Sequence, residues 1–145
     1  MKGSVISATT GAVYGQGARV SRADQFLATA EGLISQAHDD FEAGRYDLAM
    51  ENAYRAALRV AGACNSASPA VRKRKRLPTS AWDKLALTGL DGKRWAGTFK
   101  RYSAQRGRVA SGIETDPGAV VVHRLLADVE DFYLATRGGE VSMAA

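Results

Sequence analysis

The chain has a single cysteine, Cys64, among its 145 residues. No internal disulfide can form, and thiolate zinc sites, which use at least two cysteines in their common forms, are excluded. A reducing compartment follows. Long apolar runs are missing as well: no stretch approaches the roughly 20 residues a membrane span requires. Gly3, Gly11, Gly15 and Gly17 interrupt the opening segment before it could form a signal-peptide core. The expectation is a cytoplasmic protein with no membrane association. Gly15 and Gly17 have neither a preceding strand nor a following phosphate-binding helix, so they make no nucleotide fingerprint. His38 and His123 are too far apart for a short metal motif, and no spacing places a Ser-His-Asp set or a carboxylate pair. No cofactor and no metal are called for.

The scarcity that carries most information is local. Between Asn65 and Arg108 the acidic residues are Asp83 and Asp91, facing twelve basic ones, although the formal net charge of the whole chain is only +5. The middle of the chain is therefore cationic and the remainder is net acidic.

What is present reads as helix, in one domain over residues 21–137 flanked by a flexible tail over 1–20 and another over 138–145. Ser21 is placed to cap a first helix with Ala23, Phe26, Leu27, Ala30, Leu33, Ile34, Ala37 and Phe41 in one stripe, stopped by Gly44. A second helix follows almost at once, its apolar face running from Tyr46 to Cys64, and so short a link makes an antiparallel hairpin. Leu48 and Leu58 fall on its polar face, outside the hairpin core, and are candidates for a partner interface. Periodicity stops from Asn65 to Thr79, so the run Arg72, Lys73, Arg74, Lys75, Arg76 reads as an exposed basic loop between the second and third helices.

Ser80 or Thr79 caps a short third helix through Lys84, with Trp82 inward. A fourth, from about Asp91, puts Trp95, Phe99 and Tyr102 on one face and Lys93, Arg94, Lys100 and Arg101 on the other. Continued straight, it would carry Arg106 onto the apolar side, so a break is expected near Gly107. Asp116 and Pro117 are placed as N-cap and N1 of the last helix, whose stripe from Val121 to Tyr133 ends before Gly138 and Gly139. The fold class is all-α, a bundle of four to five helices.

The run at 72–76 is either a nucleic-acid patch or a solvated loop; Lys93, Arg94, Lys100, Arg101, Arg106 and Arg108 add a second basic surface that would sum with it if adjacent. These eleven residues are the candidate phosphate contacts. The aromatic spacing of Trp95, Phe99 and Tyr102 is that of a core stripe rather than a base-stacking platform. Cys64, on an apolar face, reads as an inert buried thiol.

The segment Tyr46 to Ala63, the basic linker, Ser80-Ala-Trp-Asp-Lys-Leu-Ala86 and Trp95 to Phe99 together resemble the small actinobacterial branch of the HEPN families (higher eukaryotes and prokaryotes nucleotide-binding). The resemblance implies a four- or five-helix bundle, often a dimer. Many such proteins are metal-independent ribonucleases that pair two copies of an Arg-x(4–6)-His motif at the start of the last helix. Counted back from His123, that arginine would stand at 116, 117 or 118, where this chain has Asp116, Pro117 and Gly118. The resemblance thus implies a non-catalytic relative with no catalytic residues carried over, binding nucleic acid, RNA ahead of DNA. The alternative is a protein-interaction module that dimerises or grips an acidic partner, and a third reading is a ribonuclease with an unrecognised site.

Overall fold

The computed structural model describes residues 21–114 and 116–144, with side chains to residue 139. The expected tail over 1–20 lies outside the described residues. Every described element is a helix: α1 (Arg22–Glu42), α2 (Tyr46–Ala67), α3 (Pro69–Arg72), α4 (Ala81–Ala86), α5 (Leu90–Ala110) and α6 (Ala119–Ala144). The all-α expectation holds, with six helices rather than four or five.

Ser21 caps α1, its hydroxyl accepting from the Asp24 amide at 3.0 Å. At the other end Gly44 adopts φ 78°, and the Arg45 amide bonds back to the Asp40 carbonyl at 2.8 Å, the αL closure that a β-carbon would strain. The turn delivers the chain into α2 antiparallel to α1. The two helices approach so closely that a β-carbon at Gly62 would sit 2.9 Å from the Phe26 ring. Alanine provides the rest of the approach: Ala30, Ala37, Ala49, Ala53, Ala57 and Ala61 are all buried.

A carboxylate is buried at that turn. Asp40 is 2% exposed and accepts from Arg45 Nε and Nη2 at 3.2 and 3.0 Å, Asn52 Nδ2 at 2.8 Å and Gln36 Nε2 at 3.1 Å. Burial pushes its pKa up, but the hydrogen bonds from Asn52, Arg45 and Gln36, with the Arg45 charge, outweigh burial and hold it below the ordinary carboxylate value.

α2 is the central helix, packed by α1, α4, α5 and α6. The opposite side of the core is aromatic. Trp82 of α4 stacks on Phe99 of α5 at 5.2 Å, Phe99 meets Phe132 of α6 at 5.2 Å, and Trp95 stacks on Phe132 at 4.9 Å. The Trp82 indole N–H donates to the Tyr54 hydroxyl at 2.8 Å, so a polar group inside the core is satisfied. Tyr102 donates to Asp128 at 2.8 Å, and burial first, then that carboxylate, push its phenol up to about 12. These aromatics are core, as their spacing predicts.

Several boundaries differ from expectation. α2 continues one turn past Cys64 to Ala67. Within the predicted loop, Ser68 and Pro69 act as N-cap and N1 of the single-turn α3. α5 passes Gly107 unbroken because Glu51 of α2 receives Arg106 in a two-pronged pair at 2.9 and 2.8 Å. Asp116 does not cap α6: its carboxylate accepts from the Gly118 amide at 3.0 Å, and the helix starts at Ala119. α6 continues through Gly138 and Gly139 to Ala144, so the expected break before them is absent.

Candidate nucleic-acid interface

The basic run is a pinned excursion. Val71, 5% exposed, anchors its start; the Ser68 hydroxyl accepts from the Val71 amide at 3.3 Å. Its far end is held by Ser80, which caps α4. Asn65, near the end of α2, donates from Nδ2 to the Ala81 carbonyl at 3.3 Å, tying the two ends together. Between these anchors Arg72, Lys73, Arg74, Lys75 and Arg76 are all exposed. None has a carboxylate partner among the described residues; the one contact within the run is Arg74 Nε to the Arg76 carbonyl at 3.3 Å.

The run leads into α4, and α4 packs on α5. There the cations divide. Lys93 and Arg101 are exposed and meet no carboxylate among the described residues. Arg94 pairs with Asp91 at 2.6 Å, Lys100 with Asp83 of α4 at 2.6 Å, and Arg108 with Glu114 at 2.7 Å. Both acids of the cationic segment are therefore already engaged. Arg106 is committed most firmly, its guanidinium also lying over the Tyr54 ring at 5.6 Å. The hydrogen bond from Arg106 holds the Glu51 carboxyl below its ordinary value, and Arg55 adds to it at 2.9 Å. Of eleven candidate cations, seven have no acid partner among the described residues: the run itself, Lys93 and Arg101.

Leu48 is 48% exposed. Leu58, expected outside the core, is instead half-buried against it. Helices on several sides of α2 widen its covered arc beyond the hairpin stripe, and Ala56 is fully buried for the same reason.

The two histidines stand apart. His38 bonds Glu130 of α6 at 3.0 Å, while His123 is exposed with its ring 6.0 Å from that of Phe41. Among the described residues no three His, Cys, Asp or Glu cluster as metal ligands, and no helix is long and apolar enough to cross a membrane. Cys64 is half-buried, its Sγ 3.3 Å from Thr136 Oγ1.

Two features escaped sequence reasoning. The Asp40 knot carried one signal, an Asp and an Arg five positions apart straddling a helix-ending glycine. A cavity of about 380 Å³ between the C-terminal turns of α2, the start of α5 and α6 carried none, because its walls come from distant segments.

Comparison with curated proteins and with solved structures gives no significant match. The model of the SAV_6107-like HEPN family matches residues 37–137, from the last turns of α1 to residue 137 within α6. That match spans more than half of the chain, and the chain belongs to this HEPN family.

Proposed function

We propose that the chain is a non-catalytic, cytoplasmic nucleic-acid-binding module, with RNA ahead of DNA, gripping phosphates through Arg72, Lys73, Arg74, Lys75 and Arg76 with Lys93 and Arg101 beside them. The observation that carries this reading is the contrast in pairing. Cations on α5 that have an acid within reach take it, whereas the five-residue run is held out at both ends and meets no acid among the described residues. Unrelieved like charge of that density repels itself, and a polyanion relieves it while releasing its own counterions. Contacts of this kind fix position without reading bases, so no base-specific residue is assigned. Arg94, Lys100 and Arg108 can join only by giving up their acids, and Arg106 serves the Glu51 pair.

The test is a titration of single- and double-stranded RNA and DNA against salt. Affinity should fall by about 0.7 to 0.9 log units per tenfold salt for each phosphate neutralised, so five contacts lose about 130- to 500-fold between 50 and 200 mM. Replacing the run by Gln should weaken all sequences alike. No binding by the wild type at micromolar concentration and low salt would reject the reading. The interaction-module alternative would then lead, with exposed Leu48 as the place to look for a homodimer or an acidic protein partner.

A further inference from the structure

The spacing Arg-x-Arg-x-x-Ser/Thr occurs twice in the chain, as Arg74, Arg76 and Thr79 and again as Arg106, Arg108 and Ser111. Two cations at that distance before a hydroxyl are what an arginine-directed protein kinase reads: carboxylates of the kinase take the guanidinium groups while the hydroxyl is presented to a nucleoside triphosphate. In sequence the two copies are equivalent. In the fold they are not.

The second copy is locked. Arg106 and Arg108 stand in the last turns of α5, with Ser111 as its C-cap. Arg106 gives Nε and Nη2 to Glu51 at 2.9 and 2.8 Å, Arg108 gives Nε to Glu114 at 2.7 Å, and Ser111 Oγ donates to the Arg108 carbonyl at 3.2 Å. A kinase would have to unwind the helix and strip both guanidinium groups from their acids. The first copy carries neither cost. Residues 74–79 lie between α3 and α4, outside any helix, and Arg74 and Arg76 meet no carboxylate among the described residues. Pro78 biases Leu77 toward extended backbone, and Ser80 is extended at φ −68° and ψ 133°. Thr79 is exposed, and its hydroxyl has no hydrogen-bond partner among the described residues. The neighbouring Ser80 hydroxyl is occupied, accepting from the Trp82 and Asp83 amides at 3.2 and 3.4 Å.

We propose that Thr79 is a phosphorylation site for an arginine-directed Ser/Thr protein kinase, with Arg74 and Arg76 as the residues the kinase selects. In the transfer Thr79 Oγ1 attacks the γ-phosphorus of ATP. The new O–P bond forms as the bond from that phosphorus to the β,γ-bridging oxygen breaks, ADP leaves, and the hydroxyl proton passes to the kinase's catalytic aspartate. The product carries a charge of about −1.5 to −2 at neutral pH, three residues from Arg76, and so offsets about two of the five cations of the run. The acceptor site stands on exposure and pairing alone. Its consequence, a lower affinity for polyanions after phosphorylation, rests on the nucleic-acid reading above.

The experiment incubates the full-length protein with ATP, magnesium and a purified kinase of the protein kinase B type, and locates the phosphate by intact-mass and fragment-ion spectra. The wild type should gain one phosphate, at Thr79, with Ser80 and Ser111 unmodified. Thr79→Ser should accept it as readily and Thr79→Ala not at all. Arg74→Gln and Arg76→Gln should each slow incorporation about tenfold or more, the usual loss when a hydrogen bond to a charged group is removed. The proposal is overturned if Thr79 stays unmodified, if the phosphate sits on Ser80 or Ser111 instead, or if both Gln variants react as fast as the wild type. RNA is then titrated against salt with the phosphorylated and unmodified proteins. The slope of log affinity against log salt should be shallower by about 1.4 to 1.8 after phosphorylation, two phosphate contacts' worth, and an unchanged slope would overturn the consequence. Phosphate at Thr79 with no RNA binding by either form would reject the nucleic-acid reading and leave the site standing. Salt-dependent RNA binding with Thr79 unmodified would do the reverse.

Discussion

Replacing Asp40 by Asn should cost more than any surface charge change in this protein. The carboxylate is 2% exposed and accepts four hydrogen bonds from three side chains that bracket the α1–α2 turn. An Asn keeps the volume but turns one oxygen into a donor, which must face either Asn52 or the Arg45–Gln36 pair. Hydrogen bonds to a charged group contribute about 1.5 to 3 kcal/mol, and a buried donor left unpaired costs about 1 to 3 kcal/mol. Arg45 moderates the loss, because about half of its side chain is exposed at 51% and can rehydrate. The expected net cost is about 2 to 3 kcal/mol, read as a fall of roughly 6 to 12 °C in melting temperature for a domain of this size. Acid supplies a second readout. The folded pKa lies below the unfolded one, so the Asp40 contribution is complete above the ordinary aspartate value of 3.8 and is lost as pH falls through the lower folded value. The gap in urea-derived stability between wild type and variant should stay constant from pH 7 to about 5 and narrow below about 4. Comparing the two proteins cancels the acids they share, Glu51 included. A cost under about 0.5 kcal/mol, or a gap that does not narrow in acid, would refute the view that this knot locks the hairpin.

Tyr54→Phe removes the acceptor of the buried Trp82 N–H and should destabilise by about 1 to 3 kcal/mol by thermal melting, with the helical dichroism retained. Gly44→Ala places a β-carbon at φ 78° and should cost about 1 kcal/mol, measured the same way. RNA should stay uncut by the wild type and by His123→Ala alike, since an exposed imidazole with no cationic partner among the described residues is a weak catalyst; cleavage by the wild type that the variant loses would overturn this. Gln at all of positions 72–76 should move the melting temperature little, because those side chains are exposed and unpaired with acids among the described residues.

Stripes and caps made the long helices legible: Ser21, Gly44 and Ser80 do locally what their types predict, and the aromatic spacing on α5 marks core because a 3.6-residue period leaves it no other face. What failed depended on residues far away in sequence. Arg106 looked incompatible with a straight α5, yet Glu51, fifty-five positions earlier, meets it and the helix runs on. Ser68 and Pro69 punctuate a loop and also form an N-cap and N1, and only the seat for Val71 decides between them. Gly138 and Gly139 cost about 1 kcal/mol each relative to alanine, a cost a helix as long as α6 carries without ending.

The site divides along the same line. That the run at 72–76 is exposed follows from composition, but which cations keep their charge for a partner depends on where Asp83, Asp91, Glu51 and Glu114 fall in space. Leu58 shows the converse. A helical wheel assigns one inward face, which suits a helix packed on one side; α2 has neighbours on several. Its outward arc is therefore narrower than the wheel implies, and Leu48, nearer the N-terminus of α2, stays in solvent while Leu58, ten residues on, is covered. A partner reading α2 from outside would find Leu48 and its charged neighbours, not a leucine stripe, so an interface there would have to be completed by surface from another helix or another copy.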